Sequence, residues 1–291
     1  MKILILGARG NLGGQLVKVF SEDHEVTSWD KEDLDVLDSI LLSERIAELA
    51  PQIIINAVAY NAVDKCEEPE ALSLAMRLNG ELPGLLADLA LRHKAVLVHY
   101  STDYVFSGTE EKQLFTEQET PNPLNKYGES KFQGEVELIK RSEKGLNYFL
   151  IRTSKLFGPK GLSPQAKPSF FDIMLDLAQN KAELTVVNEE LSCFTYTPDL
   201  AAATKRLVES AALPGIYHII NEGAVTWFEA AQELFRLKKM PISLRALRSE
   251  NLLRAARRPK YSVLANTKIK RLRNWQEALK EYLREMANKN N

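Results

Sequence analysis

Cysteine is almost missing: Cys66 and Cys193 are the two in 291 residues, far apart and outside any CxxC. That excludes a disulfide framework and a thiolate zinc site, and leaves small buried hydrophobes in a reducing compartment. Histidine is also sparse, with His24, His93, His99 and His218 never at metal-ligand spacing, so no metal is expected. An excess of one charge is lacking too. The 38 basic and 39 acidic side chains leave a net charge of -1, which builds no field for nucleic acid. No apolar run reaches the ~20 residues of a membrane span, and the apolar start is too brief for a secretory leader. A cytoplasmic protein with neither membrane nor nucleic-acid partners is expected. Internal repeats and low-complexity tracts are absent, and with 45% hydrophobic and 26% charged residues the chain is an ordinary globular one.

What is present is alternation. Short apolar runs predict strands at 2–6, 25–29, 52–56, 95–100 and 147–152, and helical spacing predicts helices at 12–20, 40–49, 71–91 and 127–139. Strands apolar on consecutive positions are buried on both faces, as in a parallel sheet covered by helices. The alternation therefore predicts an α/β fold with a doubly wound sheet. After Arg152 the pattern loosens. Residues 157–169 (FGPKGLSPQAKPS) must be a loop, because Pro159, Pro164 and Pro168 forbid regular structure. Then follow a helix at 170–179, a strand at 184–187, and a helix from Pro198 with Thr197 as its cap. A strand at 216–220, a helix capped by Thr226, a weakly periodic stretch at 240–274 and a helix at 275–286 complete the chain. The length suits about two domains of roughly 150 residues. Residues 1–153 are expected to bind a nucleotide, with parts of 184–220 returning to them, and 154–291 to form a smaller, interleaved α/β substrate domain.

The first strand runs into Gly7-Ala8-Arg9-Gly10-Asn11-Leu12-Gly13. Glycines after a buried strand permit a tight turn, and the helix that follows can aim its first N–H groups at a pyrophosphate. The spacing, GxxGxxG, is one residue longer in its first step than GxGxxG. The second strand ends at Asp30, at the right distance for a carboxylate that bonds an adenosine ribose. Asp30 favours NADH, whereas Arg9 and Lys31 either attract the 2′-phosphate of NADPH or stand as solvated charges. The preference between the two stays open.

A second signal is Tyr127-Gly-Glu-Ser-Lys131 at a helix start, preceded by Ser101-Thr102-Asp103 at a strand end. Residues four apart share a helix face. A free tyrosine has a pKa near ~10. Lowering it to ~7 takes roughly 4 kcal/mol, expected from the Lys131 ammonium together with the nicotinamide charge. Tyr127 would then serve as general acid or base for a carbinol/carbonyl pair, with Thr102 bonded to the same oxygen.

These segments resemble the extended short-chain dehydrogenase/reductases, which have an NAD(P)-binding Rossmann fold, and among them the dTDP-4-dehydrorhamnose reductase family. The resemblance rests on GARGNLG (7–13), NAVAYNAVDKCEEPE (56–70), Asn79, HYSTDYVFSG (99–108), NPLNKYGESKFQGE (122–135), IRTS (151–154) and ARRPKYSVL (256–264). It implies a catalytic trio of Thr102, Tyr127 and Lys131. Cofactor contacts are implied from Gly7, Arg9, Gly10, Asn11, Leu12 and Gly13, from Asp30, Asp35, Val36, Val58, Ala59 and Tyr60, and from Tyr100, Tyr127 and Lys131. Thr102, Asp103 and Tyr104 should face a nucleotide sugar, and Arg258 should belong to its phosphate-binding wall. Related dehydratases resemble Thr-Asp-Glu at this strand end. Here Tyr104 takes the third place, so simple reduction fits best.

The chain also departs from the family. Lys155 replaces a tryptophan that contacts substrate, 161–169 is longer and proline-rich, and Glu189 to Thr195 replace a typical Asp-Gln-x-Gly-x-Pro-Thr. Lys155 either pairs with a phosphate or carboxylate of an altered substrate or has no ligand role. Gln15 stands where some members carry a glutamate for an interface Mg²⁺, which again implies no metal. The resemblance implies NADPH- or NADH-dependent reduction at C4 of a dTDP-linked 4-keto-6-deoxy sugar, for polysaccharide biosynthesis, by a monomer or homodimer. The alternative is a non-catalytic, cofactor-binding subunit similar to the regulatory subunit of methionine adenosyltransferase.

Overall fold

The computed structural model describes residues 1–109 and 114–289. Six parallel strands form the central sheet: β1 (Lys2–Leu6), β2 (Glu25–Trp29), β3 (Ile53–Asn56), β4 (Val96–Thr102), β5 (Tyr148–Thr153) and β6 (Gly215–His218), in the order β6-β5-β4-β3-β1-β2. Ile3 and Ile5 of β1 enter one apolar cluster, Leu4 and Leu6 the other. This two-sided burial is why the strand is apolar at every position. Helices α1 (Asn11–Phe20) and α5 (Thr197–Glu209) cover the first face through Leu12, Leu16, Phe20, Leu200 and Leu207. Helices α2 (Ser39–Leu49), α3 (Leu82–His93) and α4 (Lys126–Ser142) cover the second through Leu42, Ile46, Leu86 and Leu138. The chain leaves β1 for β2 on one side and crosses to β3 on the other, so the sheet's switch point lies at the carboxyl ends of β1 and β3. Ligands bind at such a point in open α/β sheets.

The remaining chain builds a third apolar cluster around Phe157, Phe171, Phe194, Tyr196, Leu234, Trp275 and Tyr282. The helices Phe170–Asn180, Trp227–Lys238 and Trp275–Lys289 carry it. The weakly periodic stretch contains two strands, Ser243–Leu247 and Tyr261–Leu264, each paired with a segment distant in sequence. Strand β6 and helix α5 lie on the central sheet although they follow part of that cluster in the chain. Among the described residues, no helix is long and apolar enough to cross a membrane.

Two expectations need correcting. The helix predicted at 71–91 is Pro69–Ala75, then a π turn over Met76–Glu81, then α3. Pro83 has no N–H for the Asn79 carbonyl and its ring crowds that oxygen, and the wider turn accommodates both. Nor does Thr197 cap α5. The helix begins at Thr197 itself, after Tyr196 and without a side-chain cap. The Thr197 hydroxyl is buried against Gly158, so it is turned away from the amides a cap would bond.

Candidate active site

Gly7 opens the glycine-rich loop with φ 74°, a left-handed conformation that glycine adopts without strain. A Cβ there would stand 3.0 Å from the Ala57 carbonyl and the Val58 nitrogen, and one on Gly13 would collide with the Gly7 carbonyl. The glycines thus bring three backbones together at the switch point. Gly10 caps α1 with no side chain, and the helix has no acid in its first turn. The positive end of α1 is left for an external anion, a cradle that fits the pyrophosphate of a dinucleotide.

Asp30 stands at one end of this cradle and accepts the N–H groups of Arg9 and Lys31, both at 2.8 Å. The Arg9 guanidinium is occupied: it pairs with Glu32 at 3.3 Å and Asp33 at 3.2 Å. Asp35 accepts the Leu37 N–H and shapes the turn that places Val36. Beyond β3 the backbone of 58–60 is pinned. Asn56 Oδ1 accepts the Val58 N–H, and the Asn79 amide, in the π turn, bonds both the N–H and the carbonyl of Tyr60. Asn79 also donates to Ser130 Oγ at 2.9 Å, tying this loop to α4.

The second half of the site is built by β4 and α4. Asn125 caps α4 by accepting the Gly128 N–H at 2.8 Å, which orients the first turn with Tyr127 and Lys131 on one face. The Tyr127 phenol lies within electrostatic reach of Thr102, whose hydroxyl donates to Asp103 Oδ1 at 3.1 Å. Tyr104 meets Tyr127 edge-on with ring centroids 6.0 Å apart. Lys131, 2% exposed, donates to the Tyr100 carbonyl at 2.6 Å and lies 3.4 Å from His99 Nε2. The Tyr100 phenol is not at the site. It bonds Thr204 Oγ1 in the core under α5, so Tyr100 offers the crevice only its main chain.

The electrostatics differ from the sequence-based expectation in one respect. Burial dominates at Tyr127 and pushes the phenol above its ordinary value, and the nearby Thr102 hydroxyl opposes this only in part. Among the protein groups Lys131 does not make Tyr127 acidic: its own pKa is brought down to about 8 by burial, and its ammonium is turned to Tyr100 and His99. Burial, and then Lys131, hold His99 well below the usual imidazole value, so it is neutral. Burial likewise raises Asp103, which accepts from Ser262 at 2.6 Å.

Arg258 pairs with Asp64 at 2.7 Å and lies over the Tyr104 ring. Lys155 has positive φ, and its Nζ sits 3.7 Å from the centre of the Trp227 ring and 3.5 Å from the Glu190 carbonyl. Burial brings it down to about 7. Glu190 is held by Arg254, Trp227 Nε1 and Ser249. The changed 189–195 segment therefore forms a connected wall around Lys155. Sequence reasoning gave no role to Asn56 and His99, which are hydrogen-bonded to each other at 3.1 Å beneath Lys131. Their signal was a polar residue directly after an apolar run in each strand, Asn56 after Ile53–Ile55 and His99 after Val96–Val98.

This architecture has known counterparts. The family model described as RmlD substrate binding domain matches residues 1–288. The spore coat polysaccharide biosynthesis protein SpsK of Bacillus subtilis is 35% identical, with 98% of each chain covered. The dTDP-4-dehydrorhamnose reductase of Aggregatibacter actinomycetemcomitans is 33% identical over 96% of this chain and 97% of its own. Among solved structures, the dTDP-4-dehydrorhamnose reductase of Bacillus anthracis in complex with NADP superimposes with a TM-score of 0.89 at 31% identity, covering 98% of this chain and 99% of that one.

Proposed function

Since the chain belongs to the dTDP-4-dehydrorhamnose reductase family of extended short-chain dehydrogenase/reductases, we propose that it reduces the C4 ketone of a dTDP-linked 4-keto-6-deoxy sugar, feeding polysaccharide biosynthesis. One observation carries this reading: Thr102, Tyr127 and Lys131 converge at the sheet edge beside the glycine-rich loop. The same convergence argues against a purely regulatory subunit. We assign the dinucleotide, NADH or NADPH, to the edge formed by residues 1–153, and the sugar nucleotide to the wall contributed by 154–291.

When bound, the reduced nicotinamide supplies the hydride. Tyr127 directs its hydroxyl at the ketone oxygen, and Thr102 joins it when its proton turns there from Asp103 Oδ1, so that both stabilise the charge that develops on that oxygen. Tyr127 keeps its proton through the neutral range, because burial raises its pKa, and it gives that proton to the new alkoxide. Lys131, protonated below pH about 8, is held on the Tyr100 carbonyl and compensates the phenolate once its ammonium turns toward it. Asp103 holds the Thr102 hydroxyl in place. Tyr104, Arg258 and Lys155 bound the space for the sugar nucleotide.

The test is loss of reduced-nicotinamide absorbance with the dTDP-4-keto sugar. Tyr127→Phe is expected to lower kcat by about 10²–10⁴-fold, the range for a lost general acid, with a much smaller effect on NADH affinity. Undiminished turnover by this variant would contradict the assigned role.

A further inference from the structure

The proline-rich segment 158–169 lies directly on the cofactor loop. Ser163 N–H donates to the Arg9 carbonyl at 2.8 Å. Asn11, the first residue of α1, holds the segment twice: its Oδ1 accepts the Gly161 N–H and its Nδ2 donates to the Lys167 carbonyl, each at 2.8 Å. A Cβ at Gly161 would collide with the Arg9 carbonyl and the Gly10–Asn11 peptide, so the contact is backbone on backbone. The segment is a strap across one wall of the crevice.

Lys167 connects that wall to the other. Its main chain is tied to α1, while its side chain comes within electrostatic reach of Asp64, Lys65 and Cys66, which follow β3. Asp64 is already engaged, one oxygen accepting from Arg258 at 2.7 Å and the other from the Ala256 N–H at 3.1 Å. Neither Lys65 nor Lys167 forms an ion pair with a carboxylate among the described residues. Partial burial and the nearby Lys65 hold Lys167 below the ordinary lysine value. Two ammonium groups therefore lie within electrostatic reach of each other, between the glycine loop and the segment after β3, without an ion pair among the described residues. A bound anion would balance them, and a diphosphate carries the charge to do so.

We propose that Lys167, carried on the strap and facing Lys65, is a diphosphate-binding residue that closes over the ligand crevice. The choice of ligand rests on the reductase reading, in which both the dinucleotide and the nucleotide sugar carry a diphosphate. Positioning by Asn11 at the α1 terminus places the dinucleotide's diphosphate nearest.

The experiment measures Kd on the full chain, by nucleotide fluorescence for NADH and NADPH and by calorimetry for dTDP. Lys167→Gln is expected to weaken binding about tenfold, the scale of one charge-assisted contact. The loss should shrink as salt rises, and Lys167→Arg should restore affinity to within about twofold. Lys65→Gln should reproduce the pattern. Loss confined to NADH and NADPH assigns the site to the dinucleotide, and loss confined to dTDP assigns it to the nucleotide sugar. Unchanged affinity for all three, or an equal loss in Lys167→Arg, overturns the proposal. Affinity lost in Lys167→Gln from a wild type that turns over no keto sugar would sink the reductase reading and leave the subsite standing.

Discussion

At the scale of single residues, burial outweighs charge. Tyr127 and Lys131 share a helix face as their spacing requires, yet desolvation acts on both and in opposite directions, raising the phenol and bringing the ammonium down to about 8. The sign for activity follows. Lys131 is charged below pH about 8 and neutral above it, so kcat for reduction should hold level in the neutral range and fall as pH rises past about 8. Lys131→Arg, which stays charged, should remove that alkaline limb in a kcat–pH profile. Arg9 gives a second prediction. Its guanidinium is held by Glu32 and Asp33 beside Asp30, which opposes use of that cation for a 2′-phosphate. The double variant Glu32→Gln, Asp33→Asn should tighten NADPH relative to NADH by about tenfold, on the scale of one charge-assisted bond, measured as a ratio of Kd values.

At the scale of elements, the π turn and α4 act as one unit. Gly134 lets α4 approach so closely that an added Cβ would collide with the Asn79 carbonyl and stand 3.0 Å from Pro83 Cγ. The same approach puts the Asn79 side chain in reach of both Tyr60 and Ser130. Gly134→Ala should therefore cost about 1–3 kcal/mol, as overpacking does, and raise KM for the cofactor through the displaced 58–60 loop. Urea unfolding and steady-state kinetics check the two parts. The helical period at 71–91 was readable from the sequence; Pro83 marked the widened turn within it locally, while the fit of Asn79 against α4 was decided by a helix some fifty residues away.

At the scale of the whole molecule, one buried ion pair joins the helix carrying Tyr127 to the sheet. Arg152 on β5 and Glu135 on α4 meet at 2.7 Å, with side chains 1% and 0% exposed, and the Arg152 guanidinium also lies over the Phe106 ring. Removing one partner strands a charge in the interior. Glu135→Leu should destabilise the protein by about 3–5 kcal/mol, seen as a lower urea midpoint. By itself the sequence determined the central sheet, its covering helices and the residues of the candidate trio, since two-sided burial, helical period and glycine spacing are local properties of the chain. It also marked Lys155 and 189–195 as altered. Only the tertiary structure decided that Arg9 is engaged by acids, that the Tyr100 phenol faces the core, that His99 and Asn56 underlie Lys131, and that the strap lies on the glycine loop. Each of these depends on which distant side chain or backbone arrives as a partner, and on how much water that arrival excludes, neither of which is encoded in local spacing.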